Sequence, residues 1–324
     1  MIVRLLASIA ALSVGVAGLV VVVVLLDRTP GPVSTAPASA SAAAPTSTSA
    51  SPSKPAAKRR FPAPPPSAVV FTRQDVGTVL ALAATPGPGR LELQASVLGP
   101  TGRGTNGLRV SFTSGGRRAA GVACGAGCYR ASLPAARPRT VGVIVRGRGL
   151  DTVWRQQLPA VWPAPNATAL VERAERAWRA LHSLAFVEHL ASDPRHAITS
   201  VWRIGAPDRA AYQVLGGYAG IVIRGHRWDR APGGRWVESA QSEPLTQPVP
   251  VWTAVTNAHL LGSGRVGGRP VWIVSFYDPT IPAWFRVSID RKTSRTLDTE
   301  MMATAHFMHD AYGSFDRARP ITPP

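Results

Sequence analysis

Two clusters of soft or titratable side chains stand out in this chain of 324 residues. The first is Cys124-Gly125-Ala126-Gly127-Cys128, which holds both cysteines of the sequence. Reduced, such a pair offers two thiolates, soft ligands that suit Cu(I). Oxidised, it makes a disulfide, and the small intervening residues permit the tight turn that a bridge requires. A redox pair normally has two intervening residues inside a βαβ pattern, and neither condition holds here. The second cluster is Met301-Met302-Ala303-Thr304-Ala305-His306-Phe307-Met308-His309-Asp310, which holds every methionine except the first residue. Thioether with imidazole suits copper, and Met302, His306 and His309 are the candidate metal ligands. On a helix these three stand at i, i+4 and i+7 on one face. On one continuous strand, period two puts Met302, His306 and Met308 on one side and His309 on the other. The competing reading is that Met301, Phe307 and Met308 line a core or an apolar cavity, with no cofactor bound.

All nine tryptophans lie beyond residue 150. Trp202, Trp228, Trp272 and Trp284, with Phe307, are the candidates for the wall of an apolar pocket, since such pockets are largely hydrophobic with few polar anchors. Core packing and cross-strand pairing compete for the same rings. Signatures of catalysis are missing. Residues 102–107 match G-x-G-x-x-G but lead into a strand-like run rather than a helix, so they fail as a dinucleotide site. No G-x-S-x-G elbow, Walker loop or H-E-x-x-H pair occurs. The chain reads as a binding protein and not an enzyme.

The elements that must position these residues follow from composition. Residues 5–26 carry no charge, and 20–24 are all valine. As a helix they span roughly 33 Å, enough for a hydrocarbon core of about 30 Å. Residues 1–28 are therefore expected to be a single transmembrane anchor. A cleaved signal peptide is the alternative, though its apolar region is usually shorter. Residues 29–66 are rich in Pro, Ala, Ser and Thr and cannot bury enough surface to offset ordering entropy, so they form a disordered linker. A short head before the anchor and a long polar remainder place the bulk of the chain outside the cytoplasm, where paired thiols oxidise.

Residues 67–162 show short β segments at 76–82, 91–97, 108–112 and 141–145, separated by Gly and Pro clusters, the pattern of a β-sandwich. Residues 163–324 open with a helix: Asn166 is a candidate N-cap, and Leu170, Ala174, Ala177, Trp178 and Leu181 recur at helical spacing. Repeated β segments follow, ending in one long run over 296–315. A helix leading into a many-stranded antiparallel sheet is an α+β architecture, and such a sheet curved around a helix can enclose an apolar cavity.

The order of these elements carries a family resemblance. The helix leads into a meander with Gly225-His226-Arg227-Trp228 and Gly233-Gly234-Arg235-Trp236. Arg269-Pro270-Val271-Trp272 and the hairpin Asp290-Arg291-Lys292-Thr293 follow, and the chain closes on Ile321-Thr322-Pro323-Pro324. In this, residues 163–324 resemble the LolA-like lipoprotein carriers and the related LppX/LprG lipid-binding lipoproteins. The resemblance implies a half-barrel that holds acyl chains. The lipid-modified cysteine of that family is missing, with the apolar segment in its place. Residues 67–162 resemble the immunoglobulin-like domains of the YtkA/CopC group. The pairing resembles the extracytoplasmic end of CopD-like copper-resistance membrane proteins. No histidine precedes His182, so the copper-binding histidines of the CopC family have no counterpart in the sandwich.

A net charge of +18, carried almost wholly by arginine, raises the question of nucleic acid. The arginines are scattered, no nucleic-acid motif occurs, and an exported body rarely meets nucleic acid. Attraction to anionic head groups of the cell envelope fits better. The expectation is a single-pass cell-membrane protein whose extracytoplasmic part binds a lipid or other apolar ligand. A copper-homeostasis accessory, and an envelope interaction or sensor module with no small ligand, are the alternatives. The membrane itself and a membrane-protein partner are the expected contacts.

Overall fold

A computed structural model describes residues 63–75, 78–98, 103–135, 138–193, 196–243, 245–303 and 306–324, all within one compact unit, Arg60–Pro324. The expected anchor, 1–28, and residues 29–62 of the expected linker lie outside the described residues. Among the described residues no helix is long and apolar enough to cross a membrane. The last linker residues, 63–66, are docked: the Pro65 carbonyl accepts from Asn257 Nδ2 at 2.8 Å, and Pro64 is buried.

The first strands are β1 (Val69–Asp75), β2 (Thr78–Gly87), β3 (Arg90–Leu98), β4 (Arg109–Ser114) and β5 (Arg117–Ala120). Then come β6 (Val122–Gly125), β7 (Cys128–Pro134), β8 (Thr140–Gly147) and β9 (Leu150–Gln157). They form two antiparallel sheets, ordered β1-β2-β3-β7-β6 and β5-β4-β8-β9. Alternation builds the shared core: Leu80, Leu82 and Leu93 of one sheet meet Phe112, Val143 and Trp154 of the other. The alternate residues of β1 and β2 are also buried, which is why 79–84 read as an unbroken apolar run.

The helix α1 spans Thr168–Arg179. Its N-cap is Ala167, not Asn166, yet Asn166 Oδ1 still accepts the Thr168 N–H at 2.9 Å. Beyond it lie β10 (Ser183–Asp193), β11 (His196–Gly205), β12 (Arg209–Val214), β13 (Ala219–Ile223), β14 (His226–Arg230) and β15 (Trp236–Ala240). The set ends with β16 (Thr256–Val266), β17 (Arg269–Asp278), β18 (Ala283–Asp290), β19 (Thr296–Ala303) and β20 (His306–Gly313). These make one antiparallel sheet of eleven strands, ordered β15-β14-β13-β12-β11-β10-β20-β19-β18-β17-β16. Strand twist works against so wide a sheet staying flat. One helix with a large antiparallel sheet agrees with the fold that the sequence resemblance implies for this half.

The long run expected over 296–315 is two strands, not one. The hairpin between β19 and β20 pairs Met302 with Phe307 and Glu300 with His309. This resets the alternation, so Met302 and His309 share a face and Met301 and Met308 share the other.

The two faces of the large sheet have different covers. One packs α1 through buried Val171, Ala174 and Trp178. Trp252 fills the same face against Phe276 and Phe285, with its Nε1 donating to Glu175 of α1 at 2.8 Å. The other face receives β1 and β2. Ala68, Val70, Ala81 and Ala83 pack on Tyr277, Trp284, Met302 and Phe307, and the Val70 N–H donates to Ser275 Oγ at 3.3 Å. Alanines on β2 let the large rings approach closely.

Candidate functional site

On the helix side, pairing register sets a row of rings across successive strands. Tyr312 lies opposite Phe186, Phe186 opposite Trp202, and Trp202 opposite Tyr212. Phe186 and Trp202 stack with centroids 5.8 Å apart, Phe186 and Tyr312 lie at 5.2 Å, and Trp202 and Tyr212 at 5.0 Å. Trp178 of α1 caps the row edge-on, 5.0 Å from Tyr312, and its Nε1 donates to Thr296 Oγ1 at 3.1 Å. At the far end Tyr212 lies flat over Gly220, where a Cβ would stand 2.2 Å from the ring. Only glycine leaves room for that ring.

One step along the same strands, Glu188 and Asp310 face each other as a cross-strand pair. Trp202 Nε1 donates to Glu188 Oε2 at 2.8 Å, and the Tyr312 hydroxyl donates to Asp310 Oδ2 at 2.6 Å. The other Asp310 oxygen is buried with no hydrogen-bond partner. Burial pushes the Asp310 carboxyl up to about 8, against the opposing bond from Tyr312. Burial also raises Glu188, against the bond from Trp202. Rings and carboxyls thus brace each other at two places: Trp202 is oriented by Glu188 and Tyr312 by Asp310. With Asp310 only 3% exposed, a substrate atom does not reach it, and the pair orients rings rather than moving protons on a substrate.

The opposite face of the same strands carries the next residues, His189 and His309. Their rings stack with centroids 6.1 Å apart. His309 Nε2 meets Asp298 Oδ2 at 2.6 Å, and His189 Nδ1 meets Thr199 Oγ1 at 2.9 Å. The bond to Asp298 raises the His309 pKa, against its own burial. Glu300, opposite His309, accepts from Arg286 Nη1 at 3.0 Å. Thr72 and Arg73 of β1, with His189, Glu300, Phe307 and His309, line a cleft of about 380 Å³.

The residues singled out in the sequence are dispersed. Cys124 and Cys128 form a disulfide, so neither thiol is free as a soft ligand in this state. Met302 is 2% exposed inside the apolar cluster with Trp284 and Phe307, while His309 is engaged by Asp298. His306 pairs in register with Ala303. Among the described residues, no group of three or more His, Cys, Asp and Glu is placed to hold a metal ion. Trp284 and Phe307 come together under β1. Trp202 stands in the ring row on the helix side. Trp228 is half-buried beside His226, and Trp272 lies under the Arg291 guanidinium at 4.1 Å. Phe186, Tyr212, Tyr312, Glu188 and His189 stand outside the residues named from sequence, and Asp310 enters there only as the end of the Met/His run. The period-two spacing of Phe186 with Glu188, and of Asp310 with Tyr312, was the available signal.

No protein-family model matches the chain, and no curated protein matches it. Among solved structures it is similar to the lipoprotein LppX of Mycobacterium tuberculosis, at 10% identity and TM-score 0.35, over 48% of this chain and 97% of that one. It is similar to LprF from Mycobacterium bovis, at 11% identity and TM-score 0.37, over 50% of this chain and 99% of that one. A LolA-superfamily protein from Nitrosomonas europaea matches at 10% identity and TM-score 0.22, over 48% of this chain and 96% of that one.

Proposed function

We propose that the chain is a non-catalytic binding protein of the cell envelope that takes a lipid or other apolar ligand on the helix side of its large sheet. Residues 1–28 serve as the membrane anchor, and the linker after them carries the compact unit outside the cytoplasm. The sandwich acts as a pedestal. Its strand order, β2-β3-β7-β6 over β5-β4-β8-β9, reads as an immunoglobulin-type arrangement with β1 added at one edge.

The observation that supports this reading is the row from Trp178 through Tyr312, Phe186 and Trp202 to Tyr212. Phe186, Trp202 and Tyr312 are 6–9% exposed, so an alkyl chain gains this apolar track, which spans neighbouring strands, only by moving the packing that covers it. Trp202 and Tyr312 are aimed by buried acids and not by tight apolar packing alone, so a ligand that displaces a ring meets an oriented wall. Native mass spectrometry of the full chain, purified in mild detergent, tests the reading. We expect co-purifying lipid, and its loss in Gly220→Val, whose side chain drives Tyr212 off its seat. A folded wild-type chain that carries no apolar molecule, even after incubation with lipid extract, overturns it.

A further inference from the structure

The sandwich covers only part of the sheet face opposite α1. The apolar cluster that joins the two takes no residue from β11–β15. On this stretch the C-terminal Ile321 packs on Ala211, Ile221 and Ile223, and the same strands carry a groove of about 230 Å³. Ala211, Ala219 and Ile221, all buried, form its floor, and Val201 and Trp236 flank it. Val187, beside Val201 in register, is 36% exposed and Val201 is 39% exposed. Two guanidiniums stand on this apolar ground. Arg230 lies 4.7 Å from the Trp236 ring centroid and donates to Gln213 Oε1 at 3.1 Å. Arg203 has no acidic partner among the described residues. Glu238, nearby on β15, is already engaged by His226 at 2.8 Å.

We infer that this groove binds the head group of an anionic membrane phospholipid, the phosphate on Arg203 and Arg230 and the first acyl methylenes on the alanine floor. Charge complementarity carries the assignment. A guanidinium matches a phosphate with paired hydrogen bonds, and an arginine without a carboxylate partner keeps those donors available. Tryptophan and arginine beside exposed valines are the side chains that settle at the head-group level of a bilayer. The net charge of +18 brings the whole chain toward such a surface. A zwitterionic lipid neutralises its own phosphate and loses this attraction. Arg203 and Arg230 stand on the opposite side of the sheet from the proposed ligand row, although Tyr212 and Gly220 at the end of that row also line the groove.

The test uses the full chain in neutral detergent micelles doped with brominated phosphatidylglycerol or brominated phosphatidylcholine. Bromine quenches only nearby indoles, so Trp236 reports occupancy of the groove. The expected result is stronger quenching by the anionic lipid, with the difference lost in Trp236→Phe. Arg203→Gln, which breaks no ion pair among the described residues, is expected to raise the half-saturating lipid about fivefold. Near-UV circular dichroism confirms that the variants keep their packing. Equal quenching by the two lipids overturns the inference, as does selectivity that survives in Arg203→Gln. Inorganic phosphate alone producing the same Trp236 response would assign the groove to free phosphate and equally overturn it.

Discussion

Asp310 and His309 are neighbours in sequence but face opposite sides of the sheet, and the two faces impose opposite charge states on them. His309 is held toward its charged form by Asp298, while burial holds Asp310 toward its neutral form. The consequence for stability has a definite sign. In the unfolded chain Asp310 titrates near the ordinary carboxyl value, and folding raises that value to about 8. A group that grips its proton more tightly when folded adds stability below its unfolded pKa and loses that contribution as pH climbs to the folded pKa. Stability is therefore expected to decline between about pH 4 and pH 8, by on the order of a few kcal/mol, with Glu188 acting in the same direction. Asp278 acts the other way: burial opposes it, but bonds from Thr280, Thr253 and Ala254 hold it low, so its contribution is lost only as pH falls below the usual carboxyl range. Asp310→Asn carries no proton and removes most of the decline. Thermal melts of the two proteins at pH 5 and pH 8 measure it, and parallel pH dependence in both would show that Asp310 is not the titrating group.

At the scale of elements, α1 is held by one large anchor. Trp178 contributes the edge contact to Tyr312 and the bond to Thr296, so Trp178→Ala is expected to cost about 3–5 kcal/mol, as for other buried aromatics. Trp178→Phe keeps most of the apolar volume and should cost less; urea titration separates the two, and equal losses would mean that the Thr296 bond dominates. The Cys124–Cys128 hairpin is a lighter staple. Its loop is short, so replacing both cysteines with serine should cost only about 2 kcal/mol. Much of the hairpin is held by other means: Gly127, at φ +65°, donates its N–H to Asn106 Oδ1 at 2.9 Å, and a Cβ there would stand 2.5 Å from the Val97 carbonyl oxygen. A melting temperature unchanged by reductant would assign the staple no role in the folded chain. The helix was legible from Leu170, Ala174 and Trp178, because one amphipathic stripe has one periodicity. β10 was not, because Phe186 and Glu188 face the ring row while Val187 and His189 face the other side, and neither side is a plain polar surface. The ring row was hidden for a related reason: its members come from four separate strands and α1, and only register aligns them. The Met/His run misled because alternation was counted along one strand, whereas the antiparallel pairing of β19 with β20 reverses the sense of the residues from His306 onward.

At the scale of the molecule, the sandwich and the large sheet share a cluster instead of meeting through a linker. Each contributes buried side chains: Val70, Val79, Ala81 and Ala83 on one part, Tyr277, Trp284, Met302 and Phe307 on the other. The buried Met302, proposed from sequence as a soft ligand, here serves as a pliable apolar filler, a use that suits an unbranched thioether. Parts joined through so apolar a surface lose more by separating than a wet, polar domain contact would. The whole unit is therefore expected to unfold in a single calorimetric transition, with the ratio of van't Hoff to calorimetric enthalpy near one. Ala83→Arg places a long cation where Ala83 is 1% exposed, leaving it without a partner in the cluster. That substitution should split the transition in two, because the sandwich retains its own core of Leu82, Phe112 and Trp154 and the large sheet retains Phe276, Phe285 and Trp252. Two transitions already present in the wild type would mean that the cluster does not couple the parts. A single transition in both proteins, with Ala83→Arg shifted down by several degrees, would mean that neither part stands without the other.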